Sequence, residues 1–214
     1  RVAIHCQHST TEAAALAARL NALRAASAFT VTADLRDENA PASLVAAVAM
    51  HWGRLDALVN NAAVFQPAAL ATASLEDWSQ TMDVNLRAPF LLAQAAAPLL
   101  AAGEGGIVNV TDIYAERPKA GFVIYCAAKA GLVGLTRALA RELAPAVRVN
   151  GVAPGAILWP ETAAAETRHA LLERTPLSRC GEPADIAQAV SYLLGARFVT
   201  GQVLAVDGGR SLND

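Results

Sequence analysis

Short apolar runs alternate with alanine-rich helical patterns along the whole chain, and this alternation limits the fold more than any other feature. Residues 2–5, 29–33, 55–59, 106–111, 147–152 and 203–206 read as strands. Helices are expected over 9–26, 41–51, 74–100, 122–143 and 183–194, with a longer irregular stretch over 156–181. Local chemistry marks several helix starts. Ser9 with Glu12 has the spacing of a capping box, Ser74 with Asp77 reads as a second cap, and Pro41 suits a first helical turn. Pro89 should cost one hydrogen bond and bend its helix. Near-continuous apolar strands separated by helices specify an α/β domain, a single doubly wound parallel sheet with helices on both faces. Ligands of such sheets gather beyond the carboxyl ends of the strands.

Composition narrows the class. The 214 residues suit one domain spanning the whole chain, and 54% hydrophobic content supplies a sizeable core. Much of that content is alanine, and no stretch reaches the roughly 20 uninterrupted apolar residues of a spanning helix; no membrane partner is expected. Acids and bases are interspersed at net charge −2, so the basic footprint of a nucleic-acid binder is missing. Cys6, Cys126 and Cys180 form no CxxC pair, which favours a reducing, cytoplasmic setting and gives no metal motif.

The residues that follow the strands carry the chemistry. Tyr125 and Lys129, four apart on a helix, share a face. An ammonium beside a phenol favours the phenolate and should lower its pKa, making Tyr125 an acid or base near neutrality. A core tyrosine with a surface lysine is the bland alternative. The choice of residue argues against it, because Lys119 and Lys129 are the only lysines beside fifteen arginines. Asn60, Asn61 and Ala62 after the third strand, and Pro154 with Gly155 after the strand 147–152, are ordinary turns when taken singly. Asn85 is a poor helix former inside a helix.

Taken together, Asn60-Asn61-Ala62, Asn85, Tyr125-x-x-x-Lys129, Pro154-Gly155 and Val206-Asp207-Gly208-Gly209 resemble the short-chain dehydrogenase/reductase family in order and spacing, from Val2 to Leu212. The resemblance implies a Rossmann-like fold with Tyr125 as proton donor. Lys129 would lower the phenol pKa and hold the nicotinamide ribose, and Asn85 would anchor a relay water. It also implies cofactor contacts from Leu35, Asn61, Ala62, Ala63, Val110, Pro154 and Gly155, and a homotetramer paired through helices 74–100 and 122–143.

Two departures from the family pattern are informative. Asp112 stands thirteen residues before Tyr125, where the family usually has serine. This acid is similar to that of the pteridine reductase branch, and a carboxyl there suits a substrate with ring nitrogens and can pass a proton to Tyr125. Phe65 stands where those enzymes stack a pterin, His5 to Ser9 resembles their turn after the second strand, and the segment 154–161, with Trp159 as a substrate contact, resembles a bacterial loop. Ala63 departs from the serine that some of them carry.

The second departure is that no GxGxxG-like loop is placed to bind a pyrophosphate. The chain opens on what resembles the family's second strand. The expectation is therefore that a first strand and glycine loop, roughly 25–35 residues from the size of one strand-turn-helix unit, precede Arg1. His5 to Thr10 holds no acid to repel a 2′-phosphate, while His8, Ser9 and the following helix start can meet an anion, so NADP(H) is expected. Asp34 resembles the residue that contacts the adenine amino group. The leading expectation is an NADPH-dependent pterin reductase using Asp112, Tyr125, Lys129 and Asn85. The alternatives are a carbonyl reductase of the 3-oxoacyl or sugar type and a non-catalytic nucleotide-binding module.

Overall fold

The computed structural model describes residues 1–158 and 172–213. Six parallel strands and six helices follow the expected alternation among these residues. They are β1 (Val2–Cys6), α1 (Thr10–Leu23), β2 (Ala28–Thr32), α2 (Ala40–Trp52), β3 (Ala57–Asn60), α3 (Leu75–Met82), α4 (Ala88–Ala102), β4 (Gly106–Val110), α5 (Val123–Glu142), β5 (Arg148–Pro154), α6 (Pro183–Gly195) and β6 (Val203–Val206).

The strands form two hydrogen-bonded groups. β1 pairs with β2, and the other four run β3-β4-β5-β6. Among the described residues no ladder joins β1 to β3. The first strand, expected to be buried, is partly exposed here, with Val2 half open. Side chains connect the groups: Leu35, Leu44 and Ala88 form a buried cluster between α2 and α4, and Arg87 Nη2 donates to the Arg36 carbonyl at 2.7 Å.

Helices cover both faces of the larger sheet. On one side Val45, Ala93, Ala96, Leu100 and Ala140 pack on Ile107 and Val149. On the other, Ala189 and Leu193 of α6 pack on Val108 and Val152. This is a Rossmann-like, doubly wound arrangement. The continuous helical run Leu75–Ala102 and α5 are long and apolar enough to cross a membrane by length and composition alone. Here both lie against the rest of the domain, and α5 buries Lys129 and Thr136 where each finds a polar partner.

The long helix expected over 74–100 is interrupted by a π-helical turn, Asp83–Arg87. Pro89 falls just after it, where the backbone register returns from i→i+5 to i→i+4, so its missing donor is accommodated without breaking the helix. The capping box at Ser74 and Asp77 is present in both directions. The one expected at Ser9 is not: Ser9 is the N-cap residue of α1, but its side chain makes no cap hydrogen bond.

The carboxyl end of α6 has no basic residue in its last turn. Arg148 of β5 fills that role, donating to the carbonyls of Leu193, Leu194 and Ala196 at 2.8, 2.6 and 3.0 Å. Arg148→Met should cost about 2–3 kcal/mol, since bonds from a charged donor to helix-end carbonyls are at the stronger end of the range. A domain of this size would lose roughly 4–10 °C of Tm on thermal denaturation, and the folded fraction should retain its turnover number.

Candidate active site

Residues beyond the ends of β3, β4 and β5 meet the start of α5. Register places Asn60 beside Asn109 and Val110 beside Val152, so the three strand ends are level. α5 turns Tyr125 and Lys129 inward, leaving them 5% and 2% exposed. Asp112 follows β4 in extended backbone and caps a short 3-10 turn, Ile113–Ala115. Its Oδ1 accepts from the Tyr114 N–H at 2.8 Å, and its Oδ2 accepts from the Tyr125 hydroxyl at 2.7 Å. Lys129 Nζ donates to the Val110 carbonyl at 2.8 Å and sits 5.8 Å from the Tyr125 ring centroid.

The electrostatics differ from the expectation for Tyr125. Its pKa is raised, first by burial and then by the Asp112 carboxylate, which outweigh the ammonium expected to lower it. The ammonium is spent on Val110 and lies against the ring. Lys129 itself is pushed down to about 8 because burial penalises its charge. Burial also raises Asp112, against the opposing pull of Tyr114 N–H, Tyr125 and Lys129. The acid–base group is therefore a coupled Asp112–Tyr125 pair over a buried lysine.

Asn85 is 1% exposed, inside the π-helical turn. Its Oδ1 accepts from Val64 N–H at 2.8 Å and its Nδ2 donates to Val64 O at 2.9 Å. The side-chain amide thus clamps the loop after β3, and a water held here would need the backbone of the turn instead. Asn61, Ala62 and Ala63 are exposed on that loop. Phe65 follows, 51% exposed, stacked on Phe122 at 4.6 Å and edge-on to Tyr125 at 4.8 Å. Gly155 lies at the end of β5 so close to β6 that a Cβ there would meet Asp207 Cα at 2.7 Å. Trp159 lies outside the described residues.

The remaining expected cofactor contacts lie on the two-stranded group. His8 and Ser9 are exposed at the start of α1, and the Ser9 hydroxyl is not used in capping. Asp34 holds Arg36 through both carboxylate oxygens, the shortest contact being 2.6 Å, and this keeps its pKa down at about 2. An adenine contact would have to share that carboxylate. Leu35 buries its side chain in the core, leaving only its backbone for a ligand. These residues fit a nucleotide cofactor at two points: an anion at the uncapped start of α1, and a ribose at Tyr125 and Lys129.

Sequence reasoning missed the polar chain under the site. Asn60 Nδ2 donates to Asn109 Oδ1 at 2.8 Å, Asn109 Nδ2 to Thr136 Oγ1 at 2.9 Å, and Thr136 Oγ1 to Leu132 O at 2.7 Å. An asparagine within an apolar strand was the available signal. Lys119, Tyr114 and Phe122 also gather beside Phe65, and the scarcity of lysine pointed to Lys119.

A parallel sheet with flanking helices, carrying a buried tyrosine–lysine pair beyond its strand ends, is a Rossmann-like α/β arrangement. Residues 1–211 match the family model described as Enoyl-(Acyl carrier protein) reductase. The chain is 41% identical over 193 residues to a granaticin polyketide synthase putative ketoacyl reductase 2 of Streptomyces violaceoruber, covering 86% of this chain and 78% of that protein. It is 37% identical over 182 residues to a 3-oxoacyl-(acyl-carrier-protein) reductase FabG of Thermotoga maritima, covering 82% and 74%. It is 34% identical over 214 residues to the Staphylococcus aureus protein of the same name, covering 97% and 87%. The chain belongs to the short-chain dehydrogenase/reductase family and is an NAD(P)-dependent oxidoreductase. These likenesses do not single out the pteridine reductase branch; the relatives bear the names of ketoacyl and 3-oxoacyl reductases.

Tyr125→Phe should lower turnover by about 10²–10⁴-fold, the usual contribution of a positioned acid, while NADPH binding followed by fluorescence persists. The pH profile supplies a second check. Lys129 is charged below about 8, so kcat/KM should decline as pH rises through that region. Lys129→Arg, which cannot lose its charge there, should move the alkaline limb upward even if its rate is low.

Proposed function

We propose that this chain uses NADPH to reduce the carbonyl group of a small molecule of the 3-oxoacyl type. The supporting observation is the buried Tyr125 hydroxyl, held at 2.7 Å by Asp112 above Lys129, in a chain whose relatives are named as 3-oxoacyl and ketoacyl reductases. The cofactor supplies the hydride. Its 2′-phosphate would be met by His8, Ser9 and the open start of α1, and its nicotinamide ribose by Tyr125 and Lys129.

The chain's own part is the proton. As a carboxylate, Asp112 takes the Tyr125 hydrogen bond and directs it away from a substrate. Burial favours the protonated acid. In that form Asp112 donates to Tyr125 Oη, and the phenolic O–H is free to point at the substrate oxygen. The proton passes from Tyr125 to that oxygen, and the Asp112 proton follows to Tyr125. Lys129 steadies the charge that develops between them.

A second reading, reduction of a cyclic C=N bond in a pterin, is favoured by Asp112 itself. A carboxyl group can accept from ring N–H groups as well as pass a proton, and the half-exposed Phe65 ring beside Tyr125 offers a flat platform. Assembly as a homotetramer is proposed with either reading. It is supported by the exposed small side chains Ala127, Ala130 and Gly134 along α5, and by Tyr192 and Leu204 exposed on α6 and the outer strand β6.

Side-by-side turnover of an acetoacetyl thioester and a dihydropterin with NADPH tests the assignment. The thioester should be the better substrate, and Asp112→Ser should keep its reduction within about tenfold, since a hydroxyl can also donate to a carbonyl. Preferred dihydropterin turnover that collapses in Asp112→Ser would transfer the assignment to the second reading. Light scattering should give four times the chain mass; a monomer at assay concentration would reject the tetramer.

A further inference from the structure

The aromatic cluster beside Tyr125 carries a charge that the proton relay does not use. Lys119, on the loop before α5, places its ammonium 4.4 Å from the Phe122 ring centroid, 5.4 Å from Phe65 and 5.6 Å from Tyr114. Among the described residues it has no ion-pair partner. Ring faces attract the cation through their quadrupoles but leave its three N–H donors available to a better acceptor.

The loop that carries Lys119 is tied to the turn that carries Tyr125. Lys119 N–H donates to Cys126 Sγ at 3.4 Å, and Phe122 N–H donates to Lys119 O at 3.2 Å. Of the nearby acids, Asp112 feels the Lys119 charge but makes no ion pair with it. Asp112 accepts from Tyr114 and Tyr125, and Glu116 faces Arg137 at 4.0 Å. Arg210, on the 3-10 turn Arg210–Leu212, is close enough to Tyr114 to act electrostatically on its phenol. The mouth of the site is thus aromatic and positively charged, although the chain as a whole is slightly acidic.

We propose that Lys119 is a specificity-determining residue that selects substrates carrying a carboxylate or phosphate next to the part that lies across Phe65 and Phe122. The proposal rests on the reductive site described above but not on the choice between a carbonyl and a cyclic C=N bond. Lys119 is itself exposed, but the rings fix where its ammonium stands, so an anionic substrate that lies across them meets the charge and the ring faces together. An uncharged substrate of the same shape gains only the ring contact.

Calorimetric titration of the protein saturated with NADPH tests this with three probes: 4-aminobenzoate, phenyl phosphate and uncharged 4-aminobenzamide. At least one anion should bind about tenfold more tightly than the amide, and whichever does identifies the preferred group. That preference should vanish in Lys119→Met, persist in Lys119→Arg, and weaken as salt is raised. Equal affinity of the parent protein for all three probes, or an unchanged preference in Lys119→Met, would overturn the assignment. The titration needs no turnover, so inactivity toward both trial substrates would count against the proposed function without obscuring the role of Lys119.

Discussion

The geometry of the site depends on a buried chain of hydrogen bonds from the end of β3 to the middle of α5. Asn60, Asn109 and Thr136 are all buried, and each amide or hydroxyl is placed by the next. Breaking one link would strand its neighbours in a medium that does not solvate them, at about 1–3 kcal/mol per lost partner. Apolar packing alone would let α5 slide along the sheet by fractions of a turn at modest cost. The polar chain does not, because the Asn60 amide N–H, Asn109 and Thr136 meet in one position, with Asn60 Oδ1 left buried without a partner among the described residues. With α5 fixed, Tyr125 comes level with Asp112 and Lys129 with the Val110 carbonyl. Asn60 of β3 and Asn109 of β4 therefore place Tyr125 and Lys129 through the helix they locate.

Once α5 is fixed, the roles of the two acidic groups follow from solvation. A phenol and a carboxyl that share one hydrogen bond cannot both be ionised in a partly buried site. Burial raises both groups, and each raises the other or is stabilised by its proton. The lysine below cannot settle the competition by itself, because it is desolvated too. Serine in place of Asp112 would leave one titrating hydroxyl over the lysine. The aspartate adds a second proton store, and that is the chemical difference between this site and the family's usual one.

Much of this was legible in the sequence, for identifiable reasons. Strands buried on both faces are runs of Val, Ile, Leu and Ala, and the order of elements follows from them. Tyr125 with Lys129 announces itself because helical spacing puts both on one face. The errors arise where tertiary contacts decide. The pKa of Tyr125 reverses its expected direction first because the phenol is buried and then because the partner thirteen residues away is an anion. The capping box at Ser9 fails although that at Ser74 succeeds, because the backbone of Ser9 is turned away from the extended geometry that Ser74 adopts. In place of a simple bend at Pro89 there is a π-helical turn just before it, and Asn85 within that turn clamps Val64. No local pattern encodes a hydrogen bond to a loop twenty-one residues away.

The division of the strands into two groups shapes how a nucleotide would be held. His8, Ser9 and Asp34 belong to the β1–β2 group, whereas Tyr125 and Lys129 belong with β3 to β6. Among the described residues no backbone ladder spans the groups; Leu35, Leu44, Ala88 and the Arg87–Arg36 hydrogen bond do. Residues of both groups would meet a nucleotide, so these side-chain contacts help set the distance between the two ends of the proposed cofactor site. A ligand that contacts both ends binds only the arrangement in which they are correctly spaced, and its binding free energy then stabilises that arrangement by mass action. On the proposed cofactor placement, nucleotide affinity and the α2–α4 contact are thermodynamically linked, and a substitution at Leu44 or Ala88 would reach nucleotide binding through that contact.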